Sequence, residues 1–75
     1  MSKQTAMLLE VLEDGERLQM DDGSIWVISP GDVPTVCTWI PTATVRISKS
    51  SGDRLFPYVL KNEDINVSVD AMKVV

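Results

Sequence analysis

Apolar and polar side chains alternate with a period of two in several short stretches. Leu18 and Met20 share one face. Val45 and Ile47 share another, with Arg46 opposite, and Val67 and Val69 flank an outward Ser68. A two-residue period marks half-buried strands, and the β-branched residues that dominate the second half suit them. Ser24-Ile-Trp-Val-Ile28 and Leu55-Phe-Pro-Tyr-Val-Leu60 are apolar on both faces. Such segments are either covered on both sides or carry a binding face, and periodicity alone leaves both open.

The breaks between these stretches are sharp. Asp14-Gly15 and Asp22-Gly23 each sit between short apolar runs. Asp-Gly in that setting signals a two-residue hairpin, because both turn positions favour φ > 0. Further breaks fall at Ser29–Pro34, Pro41-Thr42-Ala43, Ser50-Ser51-Gly52-Asp53 and Asn62-Glu63-Asp64. Turns every ~8–12 residues are the spacing of an all-β sandwich or barrel. The pattern predicts strands near 7–12, 16–21, 24–29, 43–49, 54–61 and 65–70. Pro34 to Ile40 reads either as a helical turn capped by Asp32 or as a short strand. Residues 1–5 and the last few are expected to fray. Pro57, which cannot donate to a ladder, places its strand at an edge or a bulge.

Short strands in so small a chain must hide their edges, which near-closure does. The expected fold is therefore a single all-β domain spanning 1–75: a small, partly open antiparallel barrel of five to six strands, Src-homology-3-like or OB-like. Two stacked three-stranded sheets are the alternative. With 75 residues, folding buries only about 60% of the surface of the unfolded chain, so stability is on the order of 5 kcal/mol. No apolar run approaches the ~20 residues of a membrane helix, and the start lacks the apolar block of a signal peptide, so a cytoplasmic protein is expected.

Composition narrows the chemistry. There is no histidine and a single cysteine, so neither a disulfide nor a cysteine–histidine zinc site can form within the chain. Cys37 lies among apolar neighbours and is expected to be a buried, inert thiol. The serines have no histidine to activate them. Asp21-Asp22-Gly23-Ser24 lacks the ligand spacing of a calcium loop. No metal, cofactor or catalytic residue is expected. Net charge is −4 and uneven: up to Thr38 there are two basic and seven acidic side chains, and beyond it five basic and four acidic. Such a balance disfavours nucleic acid, which needs a basic stripe. The run Glu10, Glu13, Asp14, Glu16 is expected to be a solvated edge that deters strand pairing.

The segment Leu18-Gln-Met-Asp-Asp-Gly-Ser-Ile-Trp26-Val-Ile, the second tryptophan Trp39, Val45-Arg-Ile47, Tyr58-Val-Leu60-Lys-Asn62 and Val67-Ser-Val69 follow one another in order. Over residues 18–69 this order resembles a group of small, uncharacterised bacterial β-domain proteins with the pattern Asp-Gly-Ser-x-Trp-x-Val, Trp, Val-x-Val and Tyr-x-Leu-x-Asn. Those proteins carry Pro-Gly-Asp at the turn where this chain has Pro41-Thr42-Ala43. The resemblance implies an all-β fold and carries no activity or site with it.

The aromatic residues are the remaining candidates. Trp26 and Trp39 are expected in the core, with the Trp39 ring over the open end of the barrel and its N–H at a carbonyl or water on the rim; Gly15 and Gly23 are expected to be structural. Phe56 and Tyr58, two residues apart on one strand, would share a face framed by Arg46, Lys49, Arg54 and Lys61. Phe56, Tyr58, Arg46 and Arg54 form the candidate binding face. The expected function is a non-enzymatic protein-interaction module, monomeric, that recognises another protein through a β edge or an apolar face. A nucleic-acid-binding barrel is the alternative, since adjacent aromatic side chains can stack bases.

Overall fold

The computed structural model describes residues 4–49, 52 and 54–74. Among them six strands form: β1 (Gln4–Leu12), β2 (Arg17–Met20), β3 (Ile25–Ile28), β4 (Thr44–Ser48), β5 (Tyr58–Asn62) and β6 (Val67–Lys73). They close into one antiparallel barrel in the order β1-β2-β3-β6-β5-β4. The small all-β barrel expected from the pattern is what forms, and its closure is complete. Two three-stranded meanders are joined by residues 29–43, which bring β4 back beside β1 in Greek-key order.

Strand β1 makes closure possible by serving two neighbours. Gln4–Met7 pair with β4, and Leu8 with Glu10–Leu12 pair with β2. The change of partner occurs at a bulge, where Leu8 faces Met20 and Glu10 faces Gln19. Leu9 is the extra residue and turns outward, as expected where a bulge bends a strand. Gln4 and Thr5, expected to fray, instead pair with Ile47 and Arg46. At the other terminus β6 runs to Lys73, and Val74 N–H donates to the Ile25 carbonyl. Residues 1–3 of the expected frayed start, and Ser50, Ser51 and Asp53 of the expected turn, lie outside the described residues.

Both Asp-Gly hairpins form, with different loops. Between Leu12 and its partner Arg17, residues 13–16 make a 3-10 turn in which Glu13, Asp14 and Gly15 all have φ > 0. Gly15 is required there, since a Cβ would lie 2.6 Å from Cys37 Sγ as well as at φ +98°. The second hairpin has three loop residues. Gly23 N–H donates to the Met20 carbonyl, Met20 N–H donates to the Ser24 carbonyl, and Gly23 alone has φ > 0. That is a turn followed by a left-handed bulge glycine, so Asp22 is spared the positive φ expected for it.

The ambiguous segment resolves as a helical turn. Pro30–Asp32 form a 3-10 turn and Val33–Val36 the short helix α1. Pro34 stands in the first turn of α1, where a missing N–H costs nothing. Asp32 is not the side-chain cap that was expected. Its Oδ2 accepts the Asp70 N–H at 2.9 Å, and Ser29 N–H donates to the Asp70 carbonyl, fastening the connection to β6. Pro57 precedes β5 rather than lying inside a strand. It sits at a strand start, where no ladder bond is lost, and β5 has neighbours on both sides instead of an edge.

The core gathers Leu8, Leu18, Met20, Trp26, Ile28, Val45, Ile47, Leu60, Val69 and Ala71 from the strands, and Val36, Trp39 and Ala43 from the connection. Two buried polar residues are matched. Ser24 bridges Trp26 and Asp22, and Asn62 Oδ1 accepts the Asp64 N–H at 3.0 Å. The Trp39 ring is buried as expected, at 4% exposure. Its Nε1–H, however, meets no acceptor among the described residues rather than reaching a rim carbonyl.

Just beyond Trp39, Ala43 N–H donates to the Ile40 carbonyl at 3.3 Å, with Pro41 second in the turn and Thr42 third at φ +76°. A positive φ at the third position is the type II arrangement, which favours glycine. A β-branched residue there is strained by about 1–2 kcal/mol. Thr42→Gly is expected to raise stability by about 0.5–1 kcal/mol after the extra chain entropy of glycine is subtracted; a lower melting temperature would contradict this. Trp39→Ala is expected to cost about 3–5 kcal/mol, comparable to the whole stability of the domain. Collapsed amide dispersion in its NMR spectrum would confirm that, and a well-dispersed spectrum with unchanged melting temperature would refute it.

Candidate interaction face

The barrel register decides which side of each strand meets water. On β3, Trp26 and Ile28 point inward and Ile25 and Val27 outward. On β6, Val69 and Ala71 are buried, so Met72 turns outward, with Val74 just beyond the strand on the same side. Val27 faces Met72 directly, and the Val74-to-Ile25 hydrogen bond sets the next pair opposite each other. Four apolar side chains therefore form one cross-strand strip on the outside of the barrel. Met72 is 38% and Val74 46% exposed, while Ile25 and Val27 are half-buried.

The strip runs into an open groove of about 480 Å³ lined by Val27, Ile28, Pro30, Val33, Phe56 and Glu16. Each wall has a local cause. Pro30 and Val33 stand where the chain leaves β3 and starts α1. Glu16 closes the first hairpin, where its backbone carbonyl accepts the Ile28 N–H. Phe56 comes from the bend before β5. The SIWVI segment is thus covered on its inner face and presents a half-open apolar face on the outer one.

The four residues expected to form a binding face do not share one. Phe56 lines the groove. Tyr58 has the inward parity of Leu60 and Asn62 and packs edge-on against Trp26, with centroids 5.0 Å apart and planes at 77°. Lys49 Nζ lies 5.9 Å from the Tyr58 ring and Lys73 Nζ 5.9 Å from that of Trp26. Arg46 points outward from β4 opposite Lys61 and Thr5, and forms an ion pair with Glu63 at 3.2 Å. At this exposure such a pair contributes at most about 1 kcal/mol. Arg54 is exposed in the bend before β5. Trp26 and Trp39 are buried, and Gly15 and Gly23 hold turns, as expected.

Sequence reasoning missed Ile25, Val27, Met72 and Val74. The signal for the first two was the two-faced SIWVI segment. For the last two it was the apolar i, i+2 spacing in the tail expected to fray. The acidic run borders no open edge, because the barrel has none; Glu13 instead pairs with Arg17 at 3.3 Å. Cys37 is exposed rather than buried, and its S–H donates to the Asp14 carbonyl at 2.9 Å. Among the described residues no group of three or more metal-ligating side chains converges, and no helix is long and apolar enough to cross a membrane. No family model, curated protein or solved structure matches the chain.

One titrating group is tied into the fold. The Asp22 carboxylate accepts both the hydroxyl of Ser24 at 2.7 Å and its N–H at 2.9 Å, and the same hydroxyl accepts the Trp26 indole N–H at 2.9 Å. The hydroxyl bond to Ser24, followed by its backbone bond, holds Asp22 below its ordinary value of 3.8. A depressed carboxylate stabilises the fold above its unfolded-state pKa, and that contribution is lost as pH falls through the folded-state pKa. Asp22→Asn is therefore expected to melt below the parent at neutral pH, with the gap closing as pH drops below 3.8. Thermal melts across the acid range would check this, and a gap independent of pH would refute it.

Proposed function

We propose that this chain is a non-enzymatic interaction module, a cytoplasmic monomer, that binds another protein through the outer strip of β3 and β6 and the adjoining groove. The observation that carries the reading is an apolar strip continuous with a groove, on a barrel whose strand edges are otherwise all used. Closure removes recognition by strand addition and leaves a side-chain surface as the means of contact. Contiguous apolar surface of this kind, flanked by polar residues, marks protein contact sites. The nucleic-acid alternative loses its stacking platform, since Phe56 lines the groove while Tyr58 packs inside against Trp26.

Met72→Glu places a charge in the middle of the strip. An exposed substitution is expected to leave stability within about 0.5–1 kcal/mol of the parent. It is expected to weaken partner binding by about 2 kcal/mol or more, roughly 30-fold. The measurement is affinity capture from the source cell with parent and variant side by side, with melting temperature and light scattering as controls. A partner retained equally by both would remove the strip from the function. Submicromolar, steeply salt-dependent binding to single-stranded nucleic acid would replace the reading altogether.

A further inference from the structure

The groove and the strip together say what kind of segment would fit them. β1, β3 and β5 run in one direction, so the turn at 13–16, the connection at 29–43 and the turn at 63–66 all lie at the same end of the barrel. Glu13, Asp14, Glu16, Asp32, Glu63 and Asp64 are all at that end, where Arg17 pairs with Glu13 and Arg46 with Glu63. The opposite end, with the 21–24 turn, the 49–57 loop and the end of β6, holds Lys49, Arg54 and Lys73 beside Asp21 and Asp22. Glu13, Asp14, Glu16 and Asp32 of the acidic first half are thus gathered with Glu63 and Asp64 at one end of the barrel, while Asp21 and Asp22 lie at the other.

The groove lies against the outer side of β3 and is walled from both ends: Glu16, Pro30 and Val33 come from the 13–16 turn and the 29–43 connection, and Phe56 from the 49–57 loop. Glu16 is the charged residue in its wall and is exposed, with Glu13 and Asp14 in the same turn. The walls otherwise present Pro30, Val33, Phe56 and Val27, which take an apolar side chain. The strip continues from Val27 to Ile25, one i, i+2 step or about 7 Å further along the strand.

We infer that the occupant is a linear protein segment carrying a lysine or arginine next to an apolar anchor. The anchor enters the groove, the cation faces Glu16, and a second apolar residue lies on Met72 and Val74. This rests on the interaction reading above and adds the chemistry of the partner. An acidic or purely polar segment would bring like charge to Glu16 or leave the walls exposed to water. Complementary rim charge mainly sets association rate and selectivity, while the buried anchor sets residence time.

The test is selection of a random linear peptide library, displayed on phage, against the immobilised full chain, followed by titration of the synthetic winners. The expected result is enrichment of peptides that pair Lys or Arg with an apolar residue at a fixed spacing. Met72→Glu should weaken the winning peptide at least about tenfold. Glu16→Lys should weaken it about fivefold at low salt, with the difference shrinking as salt is raised. Glu16 contributes to the fold through its backbone carbonyl, which the substitution keeps. Apolar peptides without basic preference, sensitive to Met72→Glu and indifferent to Glu16→Lys, would overturn the basic-partner inference and leave the strip as a binding face. No enrichment, or winners indifferent to Met72→Glu, would overturn the inference together with the reading beneath it.

Discussion

Two three-stranded meanders close into a barrel only when both seams between them form, and β1 makes the first by dividing its length between two partners. Its first half is hydrogen-bonded to β4 and its second half to β2. The single extra residue at Leu9 lets the ladder change partner without breaking the inward parity of Leu8 and Val11. On the far side, β3 and β6 join through three residue pairs. Once both seams form, every strand has two neighbours, and the backbone groups that would invite sheet extension are engaged. The surface left for recognition is then made of side chains.

The second constraint is the open end of the barrel. Strand pairing alone leaves the inner side chains of a barrel exposed at its mouths. Here the connection between the meanders folds back over one mouth and contributes Val36, Trp39 and Ala43 to the core. It is held by the Asp32 carboxylate on the β6 backbone and by the close approach of Cys37 and Val33 to Gly15. The strained Thr42 sits where the connection turns into β4, and Thr42 N–H donates to the Leu8 carbonyl beside the bulge. The groove exists because this connection leaves β3 at Pro30 and turns into α1, raising a wall beside the outer face of the strand.

Much of the fold was legible in the residues. Asp14-Gly15 and Asp22-Gly23 announced both hairpins, and the alternation of Leu18/Met20, Val45/Ile47 and Val67/Val69 located three strands with the correct side inward. The two tryptophans were recognisable as core because a chain with one phenylalanine and one tyrosine has little other bulk. The candidate face was not legible. Phe56 and Tyr58 are two residues apart, but β5 begins only at Tyr58, so strand parity does not carry back to Phe56. Met72 and Val74 stood in a tail with no turn signal and no partner visible from the chain itself.

Turn positions, strand periodicity and the absence of histidine chemistry are local properties that follow from residue types and their spacing. The inner and outer sides of an all-apolar strand, by contrast, depend on non-local pairing. An alternating strand states which residues share a side and stays silent on which side is inner when both are apolar, as in Ser24–Ile28. Pairing β3 with β6 settles that by turning Trp26 and Ile28 inward and setting Val27 against Met72, 45 residues further along the chain. The same register, through antiparallel strand directions, gathers acids from three separate turns at one end of the barrel. Neither arrangement has a signature in any short window of sequence, because each depends on closing the chain upon itself.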